Sequence, residues 1–138
     1  MLPIVDKPTI QYIVEELVES GINEIVIVVN KGDEQVKNHF SENKKLNNLV
    51  LEAGKNSLLL EFKKIEEMAK FYFIEQEKPL GPGHALLQCK KLIGKEPFIL
   101  AYGDDLILGK KPASKQLIES FEKCKCILLL LRKFQKKR

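Results

Sequence analysis

Glu24-Ile25-Val26-Ile27-Val28-Val29-Asn30 is the stretch that decides the fold. Its five β-branched residues in a row crowd a helix and suit an extended, pleated chain. No polar residue interrupts the run, so both faces of the strand are expected to be buried, as in a parallel sheet. Upstream, Ile10, Ile13, Val14, Leu17 and Val18 recur at helical spacing. Pro8 suits the first turn of that helix, and Gly21 suits the position just past its end.

Working outward, Gly32 and Asp33 lead a shorter helix through Val36 to Phe40. The stretch from Ser41 to Gly54 is polar with a few leucines and reads as a loop leading into a helix of open limits. From Ser57 to Met68, Leu58, Leu59, Phe62, Ile65 and Met68 predict a helix. Phe71 to Ile74 reads as a strand, His84 to Lys91 as a helix, and Phe98 to Tyr102 as a further strand. Pro112 to Lys123 reads as a helix and Cys126 to Leu131 as a last strand. Strands separated by helices imply right-handed βαβ units, hence an α/β, Rossmann-like fold: a mostly parallel sheet with helices on both faces. Ligands of such sheets bind beyond the carboxyl ends of the strands. Two loops lie there, Gln76 to Gly83 and Tyr102-Gly103-Asp104-Asp105.

Composition narrows the function classes. The chain has 138 residues, 44% of them hydrophobic and 30% charged, which argues against a disordered or fibrous protein. The net charge of +4 would suggest nucleic acid, but the last seven residues carry five positive charges and no negative one. The excess therefore belongs to a basic tail, 132–138, and no nucleic-acid partner is expected. Cys89, Cys124 and Cys126 show no C-x-x-C spacing, and free thiols in a reducing cytoplasm are the expected state. The first residues lack the basic and apolar regions of a signal peptide. The longest apolar run, Ile127 to Leu131, is far short of the about 20 residues that cross a bilayer, so no membrane partner is expected.

The first loop reads Gln76-Glu77-Lys78-Pro79-Leu80-Gly81-Pro82-Gly83-His84-Ala85. The Gln76 carboxamide joins an acceptor oxygen to two N–H donors. Uracil presents an N3–H beside carbonyl acceptors, so one amide can meet both, and such a site rejects a base with the reversed pattern. Gly81 and Gly83 permit close backbone approach to a flat ligand, and Pro82 stiffens the turn between them. The helix opening at Gly83-His84 offers free N–H groups to an anion. Read alone, 79–83 is a tight turn between strand and helix, and His84 a helix-start or packing residue. In the second loop, Asp104 would project at the sheet edge, and Mg²⁺ takes oxygen ligands from one or two carboxylates, phosphates and water. The adjacent Asp105 cannot point the same way from an extended backbone. A solvated Gly-Asp-Asp turn is the alternative.

These two loops, together with Met1-Leu2-Pro3-Ile4-Val5-Asp6-Lys7-Pro8, resemble the bacterial UTP–glucose-1-phosphate uridylyltransferases. The resemblance implies that Gln76 contacts the uracil, that Gly81 meets it through the backbone, and that Gly83 and His84 complete the base and ribose loop. It implies Asp104 as the Mg²⁺ ligand, with Asp105 the lesser candidate. The implied reaction is attack by the phosphate of glucose 1-phosphate on the α-phosphorus of UTP, giving UDP-glucose and pyrophosphate. The ligands would then be UTP, glucose 1-phosphate and UDP-glucose.

The resemblance also sets limits. The family's G-x-G-T-R loop, the lysine after it and the lysine and acidic residues of its second half have no counterpart among these 138 residues. Met1-Leu2-Pro3 is expected to follow that loop, and the resemblance fades after Ser120. Residues 1–131 would form a partial nucleotidyltransferase domain. Its first central strand would lie between strands matching 26–30 and 98–102 and would be missing. Family members are commonly dimers or tetramers, so a homo-oligomer stays open. A non-catalytic nucleotide-binding fragment, and a nucleotidyltransferase for another sugar or for dTTP, stay open as well.

Overall fold

Pro8 is extended, with φ −63° and ψ 144°, and stands just ahead of helix α1 (Thr9–Glu19) instead of inside its first turn. Short strand β1 (Pro3–Ile4) pairs antiparallel with β2 (Lys7–Pro8), and this pairing draws Pro8 out of the helix. The structure, a computed structural model, describes residues 3–4 and 7–126, with 3–4 and 44–46 described by backbone alone. The far end of α1 closes as read from the sequence. Gly21, at φ 96°, donates to the Val18 carbonyl at 2.9 Å, and Ile22 donates to that of Leu17 at 3.0 Å. This reciprocal pair satisfies the last carbonyls of the helix and depends on a residue that tolerates positive φ.

The β-branched run forms strand β3 (Glu24–Asn30). It pairs in parallel with β4 (Lys70–Gln76), with Glu24 opposite Lys70 and Asn30 opposite Gln76. The crossover between them holds α2 (Glu34–Phe40), α3 (Lys44–Glu52) and α4 (Asn56–Glu66). Asp33 caps α2 by accepting from the Gln35 N–H at 3.2 Å. The stretch from Ser41 to Gly54 is thus more ordered than its polarity suggested.

Ile25, Ile27 and Val29 are buried with Ile13, Val14 and Leu17 of α1 and with Phe40. Phe40 is only 2% exposed, and its ring centroid lies 5.0 Å from that of Phe71. Val26 and Val28 are half-buried, so β3 alternates where uniform burial was expected.

Residues 98–102 depart further from expectation. They were expected to form a strand, yet none of them joins a β-ladder. The main sheet has two strands among the described residues, β3 and β4. A cleft of about 660 Å³ is lined by Glu24 to Val28 of β3 and by Phe98 to Gly103. A strand is held by a backbone partner about 4.8 Å away, and no described strand stands beside 98–102 in that position. Phe98, Leu100 and Tyr102 are consequently 53%, 53% and 50% exposed.

After β4 come α5 (Pro82–Gln88), α6 (Lys90–Ile93) and α7 (Ala113–Cys124). Helix α7 docks on α1 through a tertiary cap. The Ser114 N–H donates to Glu16 Oε1 at 2.7 Å, and Ser114 Oγ donates to Oε2 at 3.3 Å. A carboxylate at a helix start satisfies free N–H groups and complements the dipole. Past α7, Lys125 turns at φ 51° and brings Cys124 and Cys126 together, with Cα atoms 5.3 Å apart. Cys89 is a buried free thiol, as expected. The strand expected from Cys126 to Leu131 lies, past its first residue, outside the described residues, as does the basic tail.

Candidate functional site

The register of β3 and β4 places Gln76 at the carboxyl end of the parallel pair, where its carbonyl accepts from Lys31 N–H at 3.1 Å. Its side chain turns inward, and the residue is 7% exposed. A buried carboxamide needs partners, and Gln76 Nε2 lies 2.6 Å from His84 Nδ1.

The loop between them explains how His84 reaches back. Gly81 adopts φ 94° and ψ 174°, a conformation essentially confined to glycine, and Pro82 follows at the first helical position. Helix α5 therefore starts at Pro82, two residues ahead of the expected His84. The Ala85 N–H donates to the Gly81 carbonyl at 3.1 Å. A Cβ added at Gly81 or Gly83 would meet no atom within 4 Å, so the loop's outer surface is open. His84 Nε2 in turn lies 3.2 Å from Gln88 Nε2, one helical turn along. Sequence reading missed Gln88, although its i,i+4 spacing from His84 places the two on one face.

Charges frame the strand ends. Lys31 pairs with Glu77 at 3.5 Å, and Lys37 pairs with Glu75 and with Glu34. Its hydrogen bond to Lys37 holds the Glu75 carboxyl below the usual range, and the same bond raises Lys37. Neighbouring Cys89, whose Sγ lies 3.6 Å from the Ala85 carbonyl, has its thiol pushed up by burial and so stays protonated.

Asp104 stands in a tight turn closed by Asp105 N–H donating to the Tyr102 carbonyl at 3.2 Å. Both aspartates are exposed. A Cβ at Gly103 would lie 3.8 Å from Ile10 Cδ1, so the turn rests against the start of α1. Gly103, Pro82 and Ala85 line the same cleft, which relates the acidic turn to the glycine-rich loop. The structure thus gathers Gln76 at the end of β4, Gly81 in the turn, and Gly83 and His84 in the first turn of α5, and sets Asp104 one residue beyond the cleft lining. Among the described residues no three His, Cys, Asp or Glu side chains converge as a metal cage. A single exposed carboxylate nevertheless fits Mg²⁺, which takes its remaining ligands from phosphates and water.

The α/β fold carries a buried carboxamide and a glycine-rich turn at the carboxyl end of its parallel strand pair. The nucleotidyl transferase family model matches residues 1–136, and the chain belongs to that family. It is 44% identical over 122 residues to UTP–glucose-1-phosphate uridylyltransferase 2 of Staphylococcus saprophyticus, covering 88% of this chain and 42% of that protein. It is likewise 44% identical over 123 residues to the UTP–glucose-1-phosphate uridylyltransferase of Bacillus subtilis, covering 89% and 42%. The UTP-bound UDP-glucose pyrophosphorylase of Acinetobacter baumannii superposes with a TM-score of 0.81 at 30% identity, over 91% of this chain and 45% of that one. A UDP-glucose pyrophosphorylase complexed with UDP-glucose gives 0.74 at 35% identity, over 91% and 46%. The chain spans about two fifths of the length of the curated relatives it matches.

Proposed function

We propose that this chain is the uridine-binding part of a UTP–glucose-1-phosphate uridylyltransferase. The observation that carries the proposal is Gln76, buried at the carboxyl end of β4 and hydrogen-bonded to His84 across the Gly81–Gly83 turn. In this reading the Gln76 amide reads the uracil, Gly81 lets the backbone meet the base, and Gly83 and His84 complete the loop. Residues 1–131 act as one partial nucleotidyltransferase domain, followed by the basic tail 132–138.

The reaction joins glucose 1-phosphate to the α-phosphorus of UTP with release of pyrophosphate. Negative charge builds on the transferring group, so catalysis rests on positioning and on cations. Asp104 would hold Mg²⁺, which when bound would neutralise that charge. The family's triphosphate-binding G-x-G-T-R pattern does not occur in these 138 residues, so the chain's own contribution is to bind and orient the nucleotide. No described helix is long and apolar enough to cross a membrane. We place the protein in the cytoplasm; a homo-oligomer stays open.

Calorimetric titration of the chain with UTP, UDP-glucose and ATP tests the reading. Binding of the two uridine nucleotides in preference to ATP is expected. Equal affinity for ATP overturns the base-reading role. A pyrophosphate-release assay with glucose 1-phosphate then separates an enzyme from a binding module.

A further inference from the structure

We infer that His84, itself held by Gln88, locks the Gln76 carboxamide in one orientation and thereby makes the site choose uracil over cytosine. This rests on the reading of Gln76 as the base-contacting residue.

Two amide nitrogens face the one imidazole ring. Gln76 Nε2 faces His84 Nδ1 at 2.6 Å, and Gln88 Nε2 faces His84 Nε2 at 3.2 Å. A neutral imidazole has one N–H and one lone pair, so it cannot accept from both amides. One amide must present its oxygen instead, and amide orientation follows from the network. Gln88 is exposed at its end of the chain of contacts, whereas Gln76 is buried. The consistent arrangement keeps the shorter, buried contact: Gln76 Nε2–H donates to Nδ1, and the ring's Nε2–H donates to Gln88 Oε1.

That arrangement leaves Gln76 with its oxygen and one N–H free. Uracil, with N3–H beside a carbonyl, meets them. Cytosine offers a bare N3 beside an amino group, the reverse order. A glutamine free to rotate half a turn about its last torsion presents either order, because its oxygen and nitrogen simply exchange places. Gln76 alone therefore has no means of telling the two bases apart. Discrimination requires a second group that accepts from the amide nitrogen and refuses the oxygen, which is what the lone pair on Nδ1 does. His84 is thus a positioning residue, and Gln88 sets its tautomer.

The test measures UTP and CTP dissociation constants for the unmodified chain and for Gln76→Ala, His84→Phe and Gln88→Leu, with ¹⁵N spectra of the His84 ring. The unmodified chain is expected to prefer UTP by about tenfold, with the ring in its Nε2–H form. His84→Phe is expected to bring the preference close to unity, chiefly because CTP binds better. Gln88→Leu, at an exposed position that leaves folding intact, is expected to reduce the preference and mix the ring tautomers. An unchanged preference in both variants overturns the proposal, as does an Nδ1–H ring in the unmodified chain. Equal weakening of both nucleotides makes His84 merely structural and overturns it too. An unmodified chain that binds UTP and CTP alike overturns the lock, whereas one that binds neither, or whose Gln76→Ala variant keeps full UTP affinity, overturns the base-reading role itself.

Discussion

Gln76 joins a strand end to a side-chain network, and its burial makes it sensitive to loss. Gln76→Ala is expected to weaken UTP binding by about 1–3 kcal/mol, the cost of hydrogen bonds left unmade. Unchanged affinity by calorimetry would place the base elsewhere. Asp104→Asn keeps the shape of the turn and removes the charge. It is expected to move the Mg²⁺ dependence of UTP binding to higher concentration, and an identical titration would put the metal on another group. His39 supplies a pH signal. Burial lowers its pKa, and its Nε2 lies 2.9 Å from Gln11 Oε1, so the neutral ring is the folded form. The unfolded chain then takes up a proton first, near its ordinary value of about 6.5. Stability from this group is complete above that value and is lost as pH falls through it toward the lower folded value. Melting temperature is expected to drop between pH 7.5 and 5.5, and less so in His39→Gln; parallel profiles would exclude His39 as the cause. Gln76, Gly81, Gly83 and His84 were legible as neighbours around one strand-to-helix turn. Gln88 was not, because its relevance appears only once His84 has a partner on its other nitrogen.

Helix and strand limits followed local chemistry wherever the signal was local. Gly21 ends α1 because the reciprocal hydrogen bonds from Gly21 and Ile22 need φ 96°. A Cβ there meets nothing within 4 Å, so a substitution is penalised by backbone conformation alone. Gly21→Ala is expected to cost about 1–2 kcal/mol, seen as a lower urea midpoint at unchanged slope. An unaltered midpoint would mean that the helix end relaxes freely. Residues 98–102 show the opposite case. Their apolar pattern is that of a strand, but strand structure is a property of two chains side by side. Pro8 differs for a related reason, since pairing of β1 with β2 outweighs its fitness for a first helical turn.

Across the whole molecule, the core gathers on one face of β3, while the cleft of about 660 Å³ opens between β3 and residues 98–103. Unpaired strand edges and exposed apolar side chains favour loosened packing and association. The 138-residue chain is therefore expected to melt broadly, to bind an apolar dye and to aggregate at raised concentration. A sharp cooperative melt of a soluble monomer by calorimetry would contradict this.

The α/β class, the β3 strand, the capped ends of α1 and α2 and the make-up of the nucleotide loop could all be read from the chain in order. Each depends on side-chain period or on the dihedral freedom of a few neighbouring residues. Three features depended on residues distant in sequence: the unpaired state of 98–102, the Glu16 cap on α7, and the contact of Gln76 with His84 across its eight-residue separation. The physical reason is shared. A backbone ladder, a tertiary cap and a side-chain network each need a second group brought close, and only the folded arrangement of β3, β4, α1 and α5 says which groups those are.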